Sequence, residues 1–217
     1  MTPQAGKLNL LLGLTKPLVL ASQSPRRHAL LTNVGFAFSV VHPECDESQV
    51  SPAIPPHEYV SQLALMKARK GAALYANPAI VIGSDTTVVL DGTVLNKPED
   101  ANDATRMLKA LSGRTHTVYT GISLVDAVLN GSHFDTSRSV TAVGKADVTF
   151  RELDDREIAM YVEGGSPMDK AGAYGIQDDQ GALFVSRIEG CYFSVVGLPM
   201  ALLYTTLLDF VREGSNA

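Results

Sequence analysis

Short apolar runs alternate with amphipathic stretches along most of the chain, and glycine, proline or small polar residues separate them. Residues 17–21 are apolar and residues 36–41 alternate between apolar and polar, as expected for two strands. Between them, Ser24-Pro25 has the serine and proline that are typical of a helix start. This alternation of strand and helix signals predicts an α/β protein.

The same reasoning assigns the rest of the chain. Tyr59, Leu63 and Met66 form one apolar face at helical spacing. Further helices are predicted over residues 57–75, 99–111 and 154–162 and from about Pro199. Further strands are predicted over residues 80–82, 87–90, 94–95, 115–128, 139–150, 173–176 and 183–188, with turns at Asp91-Gly92 and Asn130-Gly131.

No repeat, low-complexity tract or linker interrupts this pattern, so residues 1–217 are predicted to form a single domain. We expect a mixed, twisted sheet flanked by helices, with two lobes around a central cleft. Residues 1–16 are expected to be a short N-terminal extension. Their apolar run ends at Lys16-Pro17 without a cleavage site, which argues against a signal peptide or membrane span and favours a cytoplasmic protein.

Composition narrows the classes of function. Of the 217 residues, 45% are hydrophobic and 19% are charged, which excludes disordered and fibrous proteins. The net charge of -5 argues against sequence-independent binding to nucleic acid, although a few clustered cations still suffice to bind a small polyanion. The two cysteines, Cys45 and Cys191, form neither a disulfide framework nor a zinc motif.

The first candidate site is the segment that joins the first strand to the first helix, Ala21-Ser22-Gln23-Ser24-Pro25-Arg26-Arg27. Unpaired amides at a helix N-terminus favour anions, and two guanidinium groups add bidentate donors. Arginine at a helix start opposes the helix dipole, and an anionic ligand would compensate for this. Two solvated surface arginines remain the alternative.

Four more residues have side chains suited to a charged ligand. Asp85 lies in a polar break between apolar strands, where a carboxylate binds a metal, acts as a base or merely caps a turn. Lys67 and Lys97 are possible phosphate ligands, and each is equally compatible with an ordinary surface lysine. Gln177 follows a segment rich in glycine and small residues and offers both a donor and an acceptor to a base edge.

Several common nucleotide and hydrolase signatures are missing from the sequence. There is no phosphate-binding GxxxxGK[ST] loop, no GxGxxG fingerprint and no GxSxG elbow. The five histidines are scattered and are interpreted as mostly incidental: His28, His42, His57, His116 and His133. The residues alone therefore indicate an α/β protein suited to a metal-bound phosphate ligand, without specifying a reaction.

Taken in order, the motifs resemble those of the Maf family of nucleoside triphosphate pyrophosphatases. The matching segments are Leu20-Ala-Ser-Gln-Ser-Pro-Arg-Arg27, Gly83-Ser-Asp-Thr86, Lys97-Pro98, Leu111-Ser-Gly-Arg-Thr-His116, Asp169-Lys-Ala-Gly-Ala-Tyr-Gly-Ile-Gln177 and Val196-Gly-Leu-Pro199. The resemblance covers residues 18–208 and implies the fold shared by Maf and inosine-triphosphatase-like proteins. It also implies cleavage between the α- and β-phosphates, a divalent metal (magnesium or manganese) and a homodimer.

The resemblance also implies roles for individual residues. Asp85 matches the catalytic acidic residue, and Asp46 and Glu47 match an acidic pair that would hold the metal with it. The positions that match phosphate- or substrate-binding residues are Ser22, Arg26, Arg27, Lys67, Thr86, Lys97 and Gln177. Two departures stand out: no glycine or small residue precedes Asp46, and the Asp178-Asp179-Gln180-Gly181 turn is one residue longer than usual.

Within the family, Gln177 favours the branch that hydrolyses dTTP and UTP. The branch selective for methylated guanine nucleotides has an acidic residue at that position. An amide both donates to and accepts from a pyrimidine edge, whereas a carboxylate only accepts. The alternatives are a pyrophosphatase for methylated guanine nucleotides and a nucleotide-binding regulator of cell division without turnover.

Overall fold

The structure is a computed structural model, and it describes residues 6–130, 133–177 and 179–214. The helices are α1 (Lys7–Leu11), α2 (Pro25–Asn33), α3 (Pro56–Tyr75), α4 (Ala101–Leu111), α5 (Asp155–Glu163), α6 (Tyr192–Val196) and α7 (Met200–Gly214). The strands are β1 (Leu18–Ala21), β2 (Ser39–Val41), β3 (Ala79–Leu90), β4 (Thr93–Leu95), β5 (Thr115–Asn130), β6 (His133–Asp135), β7 (Ser139–Phe150) and β8 (Val185–Gly190). Short 3-10 helices cover Glu47–Gln49, Ser166–Asp169, Ala171–Ala173 and Asp179–Phe184.

The strands form a mixed sheet with the order β2-β1-β3-β5-β7-β8, in which β4 pairs with β3 and β6 pairs with β5. β1 is parallel to both neighbours, and its Leu20 lies opposite Val40 and Ile82. The pairs β3–β4, β5–β6 and β7–β8 are antiparallel. The predicted mixed α/β sheet with flanking helices is therefore confirmed. Across the three described ranges, no helix is long and apolar enough to cross a membrane.

The chain divides into two compact units. The first contains the described parts of 1–85, 121–143 and 197–217, and the second contains residues 86–120 and 144–196 apart from Asp178, which lies outside the described residues. Strands β3, β5 and β7 contribute residues to both units. The single domain and the central cleft stay predictions.

The first unit is built on the parallel strands β1 and β3. Their apolar side chains pack with those of α2 and α7, and the buried members of this cluster include Leu20, Leu31, Ile82, Leu203 and Phe210. β1 and the first four residues of β3 are apolar because a parallel strand is covered on both faces. A smaller cluster on β1, β3 and α3 includes Val19, Val81 and Ala72.

Helix α3 lies very close to β3 at Gly83. A Cβ atom added at Gly83 would lie 2.1 Å from the carbonyl oxygen of Ala64 and 2.6 Å from the amide nitrogen of Ala68, far inside van der Waals contact. Only glycine permits this approach of strand to helix backbone. The contact places Lys67 of α3 and Asp85 of β3 within reach of each other.

The second unit has a core rich in aromatic side chains. Phe150 of β7 packs edge-on against Tyr174, and Phe184 lies against Tyr161 of α5 with ring centroids 5.0 Å apart. Helices α4 and α5 pack against each other and bury Leu108 and other apolar side chains on their facing sides. An aspartate caps each of these helices, and they begin at residues 101 and 155, within two residues of the predicted starts.

The polar break predicted between residues 80–82 and 87–90 is wrong. β3 is one continuous strand, and Ser84 and Asp85 are buried within it. The strand continues because its polar groups have partners: the Ser84 hydroxyl donates to the Gly197 carbonyl oxygen at 3.1 Å, and Lys67 pairs with Asp85. A buried polar group with a partner does not end a strand.

Three other local predictions differ from the structure. Residues 173–176 are not a strand, because Ala173 ends the 3-10 helix Ala171–Ala173 and adopts a positive φ of 61°, which is not extended. The described part of the N-terminal segment carries helix α1, and Leu12 is only 3% exposed in the core of the first unit. The strand β6 was not predicted, and Gly131 of the predicted turn lies outside the described residues.

Candidate active site

Arg27, at the β1–α2 junction, is held in place by hydrogen bonds to three residues. Ser24 caps α2 and accepts a hydrogen bond from the Arg27 amide, and Pro25 occupies the first turn. The Arg27 side chain donates from Nε to the Gly197 carbonyl oxygen at 2.8 Å and from one terminal nitrogen to Ser22 Oγ at 3.4 Å. A guanidinium fixed in this way is preorganised to receive an anion.

Lys67 joins two carboxylates. Its ammonium group forms a very short contact with Asp85 and lies 2.8 Å from Glu47 Oε1. Asp85 is buried and only 7% exposed, whereas Glu47 lies exposed on the 3-10 helix after β2. Residues far apart in the chain, on β3, α3 and the 3-10 helix, thus form one charged cluster.

The two carboxylates stabilise the charge of Lys67. Burial is the largest single influence and disfavours the ammonium form, but the charge and hydrogen bond of Asp85 together with the charge of Glu47 raise the lysine pKa above its ordinary value. Burial lowers the pKa of Arg27, while the charge of Asp85 opposes this shift. Lys67 therefore stays an ammonium group at neutral pH and is excluded as a proton acceptor.

Two other residues predicted for this site lie in the same unit. Asp46 is exposed and caps the 3-10 helix, where its carboxylate accepts from Ser48 and Gln49. The hydrogen bond from the Ser48 side chain is the main reason that the pKa of Asp46 is lowered. Arg26 is half-buried in the first turn of α2. The unit therefore contains Ser22, Arg26, Arg27, Asp46, Glu47, Lys67 and Asp85.

The other predicted residues, Thr86, Lys97 and Gln177, belong to the second unit. Thr86 follows Asp85 on β3, and its hydroxyl lies 2.9 Å from that of Thr120 on β5. Lys97 is exposed after β4, and Gln177 is half-buried after the glycine-rich segment. The structure therefore shows Lys67 in contact with both Glu47 and Asp85, and it places Lys97 and Gln177 in the second unit.

Close packing explains the small residues before Gln177. The Gly172 amide donates to the Asn96 carbonyl oxygen at 3.1 Å, and an added Cβ atom would lie 2.9 Å from the Val88 side chain. The Gly175 amide donates to the Tyr161 hydroxyl at 3.2 Å. The segment is thus fixed to β3 and α5 within its own unit.

His116 is not incidental, in contrast to the sequence interpretation. Its ring is 2% exposed, and its Nε2 lies 2.7 Å from the Tyr174 hydroxyl. Burial lowers the pKa of His116 to about 4, so the ring is neutral at physiological pH. The Tyr174 pKa is raised, first by burial. This pair anchors the glycine-rich segment to β5.

Sequence reasoning also missed Thr120, Ser194 and the carbonyl group of Gly197. Thr120 and Ser194 are fully buried, and the Thr120 hydroxyl donates to the Ser194 carbonyl oxygen at 2.7 Å. Nothing in the sequence distinguishes Thr120 from any other buried threonine in a strand. A backbone carbonyl carries no sequence signal at all, although the motif containing Gly197 was noted.

The family model and the relatives that match this chain agree with each other. Residues 17–210 match the family model described as "Maf: Maf-like protein". A dTTP/UTP pyrophosphatase from Salinibacter ruber is 48% identical over 92% of this chain and 94% of its own length. Another, from Shewanella denitrificans, is 50% identical over 84% of this chain and 90% of its own.

A solved structure of a nucleoside-triphosphatase / dITP/XTP pyrophosphatase from Mycobacterium abscessus shows a weak likeness. It is 17% identical, covers 63% of this chain and 75% of its own, and has a TM-score of 0.40, too low for structural inference. The family assignment rests instead on the match to the family model and on the sequence identities to the relatives. Both agree with the six motifs found in the sequence. The chain belongs to the Maf family.

Proposed function

We propose that this protein hydrolyses dTTP and UTP to the nucleoside monophosphate and pyrophosphate. Water attacks one phosphorus of the α–β phosphoanhydride, and the bond between that same phosphorus and the bridging oxygen breaks. The observation that carries the proposal is the Lys67 ammonium group in contact with both Glu47 and Asp85. Relatives named dTTP/UTP pyrophosphatase, at 42% to 50% identity, support the substrate class.

A divalent cation, Mg²⁺ or Mn²⁺, fits this cluster. Within the described residues, no group of three or more His, Cys, Asp or Glu side chains is arranged to hold a metal ion. Mg²⁺ is commonly held by one or two carboxylates together with substrate phosphates, and Glu47 and Asp85 supply those carboxylates. When bound, such an ion neutralises charge on the phosphates and lowers the pKa of bound water. Asp46 belongs to this proposed set by family resemblance alone.

The chain's own residues have complementary tasks. The Arg27 guanidinium and Lys67, whose pKa is raised, would bind the phosphate oxygens, where charge develops during the reaction. Asp85 would hold the metal or accept the proton of the attacking water. Ser22 orients Arg27 through its hydroxyl, and the exposed Lys97 would bind phosphate as a point charge.

The base would be recognised, by family resemblance, by Arg26, Thr86 and Gln177. A glutamine amide matches the mixed donor and acceptor edge of uracil or thymine. We extend the proposal to a homodimer in the cytoplasm, with no nucleic-acid partner; these three points rest on the sequence and the family.

A panel of nucleotides tests the activity directly. Purified protein with Mg²⁺ or Mn²⁺ is assayed on dTTP, UTP, CTP, ATP, GTP and 7-methyl-GTP, and pyrophosphate and orthophosphate are measured separately. We expect pyrophosphate with the highest kcat/KM for dTTP and UTP. Binding without product would indicate a regulator instead. Preference for 7-methyl-GTP would assign the chain to the other branch.

A further inference from the structure

The segment that leads into Gln177 is held by side chains of other elements. Residues 174–177 follow the 3-10 helix Ala171–Ala173, and they belong to neither a helix nor a strand. Tyr174 and Ile176 are nevertheless buried. The path of the chain before Gln177 is therefore fixed by tertiary contacts rather than by regular backbone pairing.

Two phenol hydroxyls supply polar contacts to this segment. The Tyr174 hydroxyl lies 2.7 Å from His116 Nε2, and the Tyr161 hydroxyl accepts a hydrogen bond from the Gly175 amide at 3.2 Å. The first contact ties the segment to β5, and the second ties it to α5. Because they hold two consecutive residues, they restrict both the position and the direction of the chain just before Gln177.

Burial makes both contacts strong constraints. His116 and Tyr161 are each 2% exposed, so water does not readily replace a lost partner. Phe150 packs edge-on against both rings of the His116–Tyr174 pair, with ring centroids 5.0 Å and 4.7 Å apart. Displacement of the segment would leave buried polar groups without their partners, and this cost opposes the displacement.

We propose that Tyr174, through its hydrogen bond to His116, is a positioning residue that sets base specificity by fixing the position of Gln177. This inference rests on the proposed function, in which Gln177 recognises the base. Uracil and thymine present an acceptor at O4, where cytosine presents the N4 amino donor. A glutamine amide held in place can match one pattern and oppose the other, whereas a displaced amide discriminates less.

Tyr174→Phe is the main test variant, because it removes one oxygen atom and keeps the ring that packs against Phe150. We expect the ratio of kcat/KM for UTP over CTP to fall at least about tenfold, chiefly through a higher KM for UTP. The kcat for UTP is expected to stay within about threefold of wild type. The reason is that Lys67, Glu47 and Asp85 belong to the first unit and make no part of these contacts.

Variants of the neighbouring groups repeat the test independently. His116→Leu removes the partner of the Tyr174 hydroxyl and is expected to lower the UTP/CTP ratio as Tyr174→Phe does. His116→Gln places an amide near the position of Nε2 and is expected to keep the ratio within about threefold of wild type. Tyr161→Phe removes the acceptor of the Gly175 amide and is expected to lower the ratio as well.

Thr117→Val is a matched control. Thr117 follows His116 on β5 but faces the other side of the strand, and its hydroxyl donates to Asp147 at 2.6 Å. The variant therefore loses a side-chain hydrogen bond of the same strand that does not involve residues 174–177. It is expected to keep the UTP/CTP ratio within about twofold of wild type, whatever its effect on the melting temperature.

A double-mutant cycle tests whether Tyr174 acts through Gln177. Gln177→Ala alone is expected to lower the UTP/CTP ratio at least about tenfold. In that background, Tyr174→Phe is expected to change the ratio by less than about twofold, because the amide that it positions is gone. A further tenfold loss in the double variant would show that Tyr174 acts on the base by another route, and would overturn the proposal.

The outcomes also separate this inference from the proposed function. Wild type that releases no pyrophosphate from dTTP or UTP, or a UTP/CTP ratio unaffected by Gln177→Ala, refutes the proposed function or its base recognition, and this inference with it. A ratio lowered by Gln177→Ala but unchanged in folded Tyr174→Phe and Tyr161→Phe refutes this inference alone. An equal loss on UTP and CTP, with a lower melting temperature, shows that the two hydroxyl contacts are merely structural and likewise refutes it.

Discussion

At the scale of single residues, the candidate site depends on charge rather than on size. Asp85 is a buried carboxylate that contacts the Lys67 ammonium group, and its charge stabilises the charged form of Lys67. An uncharged replacement of the same shape therefore changes the chemistry more than the packing. This makes isosteric substitutions informative at Asp85.

We expect Asp85→Asn to remain folded and to lose about a hundredfold or more in kcat, because an amide neither accepts a proton nor holds a cation well. Steady-state pyrophosphate release and circular dichroism measure the two effects. Asp91→Asn is the control: Asp91 is exposed in the β3–β4 turn with φ at 49°, a conformation that asparagine tolerates. Normal turnover in folded Asp85→Asn would remove Asp85 from the mechanism.

Lys97→Ala is expected to raise KM for dTTP about tenfold or more while changing the melting temperature little. Lys97 is exposed, so its loss removes a phosphate-binding charge without creating a cavity. Lys109→Ala is matched in chemistry; Lys109 is an exposed lysine paired with Asp155 at 2.8 Å. A fall in stability with unchanged kinetics for Lys97→Ala would make this lysine structural.

At the scale of elements, the contact of β3 with α3 determines where the charged side chains meet. Gly83 lets the two backbones approach, and two residues later β3 carries Asp85. Gly197 links α2 to β3, because its carbonyl oxygen accepts hydrogen bonds from both Arg27 of α2 and Ser84 of β3. Small residues outside the charged cluster thus position its cations.

Gly83→Ala is expected to destabilise the protein by about 2 kcal/mol or more, since the new methyl group overlaps the α3 backbone. Separation of β3 from α3 should also reduce kcat in any folded fraction. Denaturant unfolding and turnover measure both effects. Gly164→Ala, where an added Cβ atom would lie at an ordinary 3.4 Å from Tyr161, should change stability by less than about 1 kcal/mol. Equal stability of the two variants would contradict the close contact.

At the scale of the whole molecule, a buried neutral histidine links stability to pH. The pKa of His116 is lowered from 6.5 to about 4, so between these values the unfolded chain binds a proton that the folded protein excludes. His116 therefore favours the folded state fully above pH 6.5, and this contribution is lost as the pH falls toward 4.

Accordingly, lowering the pH from 7 to 4.5 should reduce the free energy of unfolding by about 2 kcal/mol through His116 alone. His116→Gln keeps a polar partner for Tyr174 and does not titrate. Comparing denaturant unfolding of both proteins at the two pH values isolates this contribution from that of the carboxylates. An identical acid sensitivity would show that His116 is not the linked group.

The sequence by itself determined the class of fold, most of the elements and the family. Apolar period, helix caps and turn residues are local properties, so α3, α4 and α5 were predicted nearly to their ends and α7 to its start. The family motifs are likewise contiguous segments, and residues 17–210 match the family model. Asp85, Arg27 and Lys67 were identified as candidates because their side chains carry the chemistry themselves.

The tertiary structure alone decided which residues meet. Sequence patterns cannot show that Lys67 contacts both Glu47 and Asp85, that β3 runs unbroken through Asp85, or that His116 anchors Tyr174. Each depends on partners distant in the chain, and a buried polar side chain is stable only where the fold supplies its partner.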